Sequence, residues 1–129
     1  MPNNADRAVV VTGATLTIEY AVGTNGSMPA KEFIDGLVES DQRKLAALLQ
    51  TMADRGNVPN REQFKKVRGP IFEFKKHQTR VFCFRDGHTW FLTNGYKKKR
   101  DRLDPSEVAR AERVMGEHLA RGTAKRERR

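Results

Sequence analysis

The chain has 129 residues, a formal net charge of +9 and a pI near 10.1. That length suits one domain with a modest core, and so large a basic excess points to an anionic partner: nucleic acid, an anionic membrane surface or an acidic protein. A single cysteine excludes an internal disulfide and suits a reducing compartment, and no window approaches the ~20 apolar residues of a membrane span.

Residues 1–7 are polar and expected to be loose. "AVVVTGATLTIEYAV" (8–22) is rich in β-branched side chains, with Leu16, Ile18 and Tyr20 alternating with Thr17 and Glu19, and reads as a strand that Gly13 can break. A short helix is expected from about Ala30, with Phe33, Ile34, Leu37 and Val38 at helical spacing. Ser40 or Asp41 can cap a second helix to about Arg55, whose Leu45, Leu48, Leu49 and Met52 form one core stripe. "REQFKKVRG" (61–69) reads as a short helix or loop around Phe64.

Three strands follow: "IFEFKK" (71–76), "RVFCFRD" (80–86) and "TWFLTNGYK" (89–97), with links short enough for hairpins. Asp104 and Pro105 form a helix start, and Val108, Ala111, Val114, Met115 and Leu119 make an apolar face up to about Arg121. The tail "GTAKRERR" (122–129) reads as disordered and basic. The expected order is β-α-α-β-β-β-α. It makes an α+β domain over residues 8–121 with one antiparallel sheet packed with helices. "MPNNADRAVVV" has no basic n-region ahead of a long apolar stretch, so the expected location is cytoplasmic.

The charge is uneven along the chain. Residues 1–60 hold five basic and seven acidic side chains, residues 61–102 thirteen and four, and residues 103–129 seven and five. The excess therefore sits mainly in the middle third, as a binding patch would. Two-residue turns at His77-Gln78 and Gly87-His88 make opposed residue numbers sum to 155 and 175, which sets Arg80 between Lys75 and Gly95. Alternation then puts Phe72, Phe74, Val81, Cys83, Trp90 and Leu92 on one face. The other face takes Phe82, Phe84 and Phe91 at one end and Glu73, Lys75, Arg80 and Lys97 at the other. His77, Arg80, Tyr96, Lys97 and Lys98 meet at one end of the sheet, away from His88 and His118. Cys83 reads as a buried small hydrophobe.

Such a cluster suits cleavage of RNA by its own 2′-hydroxyl, which needs a base, an acid and charge stabilisation at phosphorus, and no metal or cofactor. Glu73 is the available base, His77 or Tyr96 the acid, and Arg80, Lys97 and Lys98 the charge. Tyr96 can instead stack on an exposed base. Lys65, Lys66, Arg68, Lys75, Lys76, Lys98, Lys99, Arg100 and Arg102 are the candidate nucleic-acid contacts. Arg80 and Glu73 as a plain cross-strand ion pair, and the lysine run as solvated surface, are the structural alternatives.

The segments "IFEFK", "RVFCF", "TNGYKKK" and "DPSEVARAER", in that order and spacing, together with "AKEFIDGLVESDQRKLAALLQTMADRG" upstream, resemble the RelE/HigB superfamily of type II toxins, in particular its phage-derived HigB-like branch. The resemblance spans about residues 16–121. It implies a compact microbial-ribonuclease-type toxin fold and an mRNA endoribonuclease acting at the ribosome. It also implies neutralisation by a cognate antitoxin from the same operon. By position it assigns the phosphate-contacting arginine to Arg80, the aromatic-Lys-Lys strand end to Tyr96, Lys97 and Lys98, and the strand glutamate to Glu73. The chain departs from the RelE branch proper at Ile71 and Glu73, where that branch has lysines, and at Tyr96, where other members have histidine. A non-catalytic RNA- or DNA-binding phage or prophage protein using the same basic patch is the other reading. A third is an adaptor that kept the fold and lost the chemistry.

Overall fold

The computed structural model describes residues 8–99 and 103–127, with side chains through residue 122. Residues 8–22 form two strands, β1 (Val9–Thr12) and β2 (Thr17–Tyr20), folded into an antiparallel hairpin. Gly13 lies so close to Ala53 that an added Cβ would sit 2.2 Å from its carbonyl carbon, so the chain turns where a side chain cannot fit. Helix α1 (Pro29–Asp35) begins on a proline, and α2 (Glu39–Arg55) ends on Gly56 at φ 78°. Val38 occupies the N-cap of α2, so Ser40 and Asp41, the expected caps, lie inside its first turn. A 3-10 turn (Arg61–Gln63) follows, with Asn60 Oδ1 accepting from Glu62 N at 3.0 Å.

Residues 64–68, expected as helix or loop, are instead strand β3 (Phe64–Arg68), paired with β4 (Ile71–Lys76) through a turn in which Gly69 has φ 53°. The Phe64 ring stacks on Phe72 with centroids 5.2 Å apart, and this pairing outweighs the weak local preference of a lysine-rich run. Then come β5 (Thr79–Asp86), β6 (Thr89–Lys97) and α3 (Pro105–Glu127). The order of elements is therefore ββαα, the 3-10 turn, ββββα, not the expected β-α-α-β-β-β-α. Asp104 Oδ1 caps α3 by accepting from Ser106 N at 2.9 Å and Ser106 Oγ at 2.7 Å. The helix continues past the expected end at Arg121, through part of the segment read as a tail. Residues 1–7, read as loose, lie outside the described residues.

The six strands form one sheet in the order β1-β2-β6-β5-β4-β3. It is mixed, not antiparallel as expected: β2 runs parallel to β6, with Thr17 opposite Thr89 and Tyr20 opposite Leu92. The two helices and three strands between them supply the long crossover that parallel neighbours need. One face packs on α1 and α2 through Leu45, Leu48, Leu49, Met52, Phe74, Val81, Cys83, Trp90 and Leu92, as the alternation predicted. The other packs on α3 through Ile71, Phe82, Phe84, Val108, Ala111 and Val114. Each large side chain buried here contributes roughly 1.5–3 kcal/mol. Among the described residues, no helix is long and apolar enough to cross a membrane.

The β4–β5 hairpin has the expected register, with Lys75 opposite Arg80 and Glu73 opposite Phe82. In β5–β6 the expected register holds from Asp86–Thr89 to Cys83–Leu92, and then slips by one residue. Beyond this bulge Phe82 faces Asn94 and Arg80 faces Tyr96, where Gly95 was expected. One inserted residue reverses the face of every side chain after it.

Candidate functional site

On the α3 side of the sheet, two rows of side chains cross neighbouring strands. One runs Lys75, Arg80, Tyr96 and the other Lys65, Glu73, Phe82, Asn94. Arg80 is 4% exposed and Glu73 is 8% exposed. Arg80 Nη1 donates to the carbonyls of His77 and, at 3.1 Å, Thr79, while its Nε stands 4.0 Å from Glu73 Oε1. The Tyr96 ring stacks on Phe82, with centroids 5.7 Å apart.

Three buried polar atoms in this group lack a hydrogen-bond partner among the described residues: Glu73 Oε2, Arg80 Nε and the Tyr96 hydroxyl. Such an atom typically costs about 1–3 kcal/mol, so three on adjacent residues mark a place where stability has been given up. Burial pushes the Tyr96 phenol up, the Asp104 backbone amide pulls it back, and the Glu73 charge adds to the rise. The hydroxyl lies near that amide without the geometry of a hydrogen bond. A buried guanidinium, a carboxylate and a protonated phenol therefore sit side by side, a set able to neutralise an anion, take a proton and supply one.

The bulge exchanges Tyr96 and Lys97 relative to expectation. Lys97 was expected beside Arg80, with Tyr96 on the far side. Tyr96 instead joins Arg80, and Lys97 points toward α2, where its Nζ meets Asp41 Oδ2 at 2.7 Å and Thr79 Oγ1 at 3.0 Å. The Lys97 hydrogen bond holds the Asp41 carboxyl below its ordinary value, and the charges of Lys97, Lys44 and His77 act in the same direction. His77 thus serves Arg80 through its carbonyl while its ring acts on Asp41. Its exposed turn position has φ 53°, unusual for a residue with a side chain.

The candidate nucleic-acid contacts are split between the two sheet faces. Lys98 N donates to Gln78 O at 2.7 Å. Tyr96, Lys98, Lys99, Asp104 and Glu107 line a cleft of ≈ 480 Å³ where β6 meets the start of α3. Lys75 lies beside Arg80, whereas Lys76 points to the α2 side. Lys65 is paired with Glu62 at 2.9 Å and Arg68 with Glu112. Lys66 is exposed on the edge strand, and Arg100 and Arg102 lie outside the described residues.

Sequence reasoning missed Asn94, Asp41 and Thr79. Asn94 is fully buried; its Nδ2 donates to Glu107 O and Oε1, both at 3.2 Å, and its Oδ1 accepts from Thr93 Oγ1 at 2.8 Å. The signal was an asparagine, a poor strand former, inside a strand run between Thr93 and Gly95. His118 and Cys83 stay outside the cluster. His118 Nδ1 accepts from Val22 N at 2.9 Å and its ring packs on Phe91, while burial pushes the Cys83 thiol well up.

Residues 32–116 match the family model described as phage derived protein Gp49-like (DUF891). The match runs from α1 into α3 and leaves the β1–β2 hairpin outside. Comparison with curated proteins returned no match.

Proposed function

The chain belongs to the Gp49-like phage-derived family, within the RelE/HigB-like toxin superfamily, and on that premise we propose that it is the toxin of a type II toxin–antitoxin pair, an endoribonuclease of microbial-ribonuclease-type fold that cuts mRNA on the ribosome and so stops translation. Its partners on this reading are mRNA, the ribosome and a cognate antitoxin. In the reaction, Glu73 takes the proton of a 2′-hydroxyl, whose oxygen bonds to the adjacent phosphorus. The bond from phosphorus to the 5′-oxygen breaks, and Tyr96 returns a proton to that leaving oxygen. Arg80 neutralises the added negative charge on the phosphoryl group. The products are a 2′,3′-cyclic phosphate and a 5′-hydroxyl. His77, held at the strand turn, is the other candidate acid. Lys97 acts from the α2 side as a positioned charge, not as a partner of Arg80.

The observation that carries this reading is the trio of unpartnered polar atoms on Glu73, Arg80 and Tyr96. Primer extension of mRNA after brief induction tests it. New 5′ ends are expected with the wild type and not with Arg80→Ala, provided the variant keeps its far-UV dichroism. Absence of new ends with the wild type sinks the enzyme reading. A second reading, a non-catalytic RNA- or DNA-binding protein using the same patch, is favoured by the depth at which Arg80 and Glu73 lie. It predicts binding that weakens steeply with salt and no cleavage.

A further inference from the structure

The opposite face of the sheet has a basic groove that the proposed reaction does not use. Lys44, Thr51 and Arg55 project from one side of α2, and together with Gln63 and Lys76 they line a groove of ≈ 280 Å³. Its lining includes no carboxylate. Four other exposed cations hold carboxylates: Lys31 pairs with Asp35, Arg43 with Glu39, Lys65 with Glu62 and Lys97 with Asp41. Lys44, Arg55 and Lys76 have no ion pair among the described residues. Three cations without an ion pair in one concavity, with the Gln63 amide beside them, are arranged to accept anionic oxygens.

The groove is also next to the reacting face. Lys75 and Lys76 are consecutive in β4, so one points to the α3 side with Arg80 and the other to the α2 side. In the last row, Lys76, Thr79 and Lys97 cross three strands, roughly 10 Å at the ordinary strand spacing. Only the exposed His77-Gln78 turn separates the two basic faces. A single nucleic-acid strand leaving Arg80 over that turn would meet Lys76 next.

The geometry points to a second phosphate-binding subsite in this groove, formed by Lys44, Arg55 and Lys76, that holds the RNA chain beyond the cleaved bond. This inference rests on the proposed function for its substrate, but it concerns binding and is measured without cleavage. The groove discriminates by chain length: a trinucleotide fills the reacting face alone, and a longer strand reaches both.

The probes are a 2′-O-methyl trinucleotide and a 2′-O-methyl dodecamer, neither of which has the 2′-hydroxyl needed for cutting, titrated against the full chain over a range of salt. In the triple variant Lys44→Gln, Arg55→Gln, Lys76→Gln, dodecamer affinity should fall about tenfold or more. The slope of log affinity against log salt should flatten by about 2, as expected for three lost contacts to a single strand. Trinucleotide affinity should not change. The control variant Lys31→Gln, Arg43→Gln, Arg113→Gln removes the same charge from ion-paired sites and should bind both probes nearly as the wild type does. Equal losses for both probes, or equal losses in both variants, would reduce the groove to general charge attraction and overturn the subsite. So would absence of dodecamer binding by the wild type, or an oligoglutamate peptide outcompeting the dodecamer in the wild type but not in the triple variant. Failure of the enzyme reading appears separately, as missing 5′ ends in the induction experiment.

Discussion

His77 occupies the first position of a two-residue hairpin turn at φ 53°, and Gly87 occupies the corresponding position of the next hairpin at φ 63°. Glycine takes that conformation freely, whereas a residue with a Cβ is held there at a typical cost of about 1 kcal/mol or more. The chain keeps histidine where glycine would be easier, and its carbonyl holds the Arg80 guanidinium. His77→Gly should therefore raise stability by about 1 kcal/mol in chemical denaturation. If the imidazole supplies the leaving-group proton, the same variant should lose cleavage while melting later. A variant that melts earlier would mean that the ring's interaction with Asp41 outweighs the strain. At this scale the sequence set Glu73 and Arg80 on one face, as found, but put Tyr96 on the other. It was wrong about Lys97, because a side chain's face depends on the whole register behind it.

The strand β6 carries the feature that shapes the candidate site. Its bulge at Thr93 and Asn94 puts Tyr96 beside Arg80 and turns Lys97 toward α2. Hairpin turn length fixes register only from the turn outward, and it did so correctly for the first four pairs. The slip is stabilised by groups far from the turn: the Asn94 amide bonds to Glu107 on α3, and Gly95 lets α1 close over the strand. A Cβ at Gly95 would lie 2.3 Å from the Phe33 ring and 2.9 Å from the Arg80 carbonyl. Gly95→Ala is accordingly expected to destabilise the fold by roughly 1–3 kcal/mol, read as a lower urea midpoint at unchanged m-value. An unchanged midpoint would show that α1 is free to move off the strand. Strand β3 illustrates the same limit, since the Phe64 stack on Phe72 is absent from any local window.

At the level of the whole molecule, the packing of α3 on the sheet responds to acid. The α3 layer is tied to the segment just after β2 by His118, whose Nδ1 accepts from Val22 N and must be unprotonated to do so. Burial lowers the His118 pKa below 6.5, the Glu19 charge opposes this, Arg121 adds to it, and Asp86 opposes it. Because the folded chain binds the proton less readily than the unfolded chain, this contribution is complete above about pH 6.5 and is lost as pH falls through the lower, folded value. The melting temperature should drop as pH falls below about 6.5, and His118→Asn, which keeps an acceptor without titrating, should make that drop shallower. An identical slope in both proteins would remove His118 as its source.

Sequence by itself determined the α+β class, the pairing of β4 with β5, the apolar stripe of α2 and the start of α3 at Asp104-Pro105, because each follows from neighbours a few residues apart. The basic middle third and the company of Glu73 and Arg80 were legible for the same reason. Only the tertiary structure decided that β2 lies parallel to β6, that residues 64–68 form an edge strand, and that Tyr96 rather than Lys97 faces Arg80. Those outcomes depend on contacts between distant segments: the Phe64 stack on Phe72 for the edge strand, and, for the bulge, the Asn94 amide bonded to Glu107 on α3.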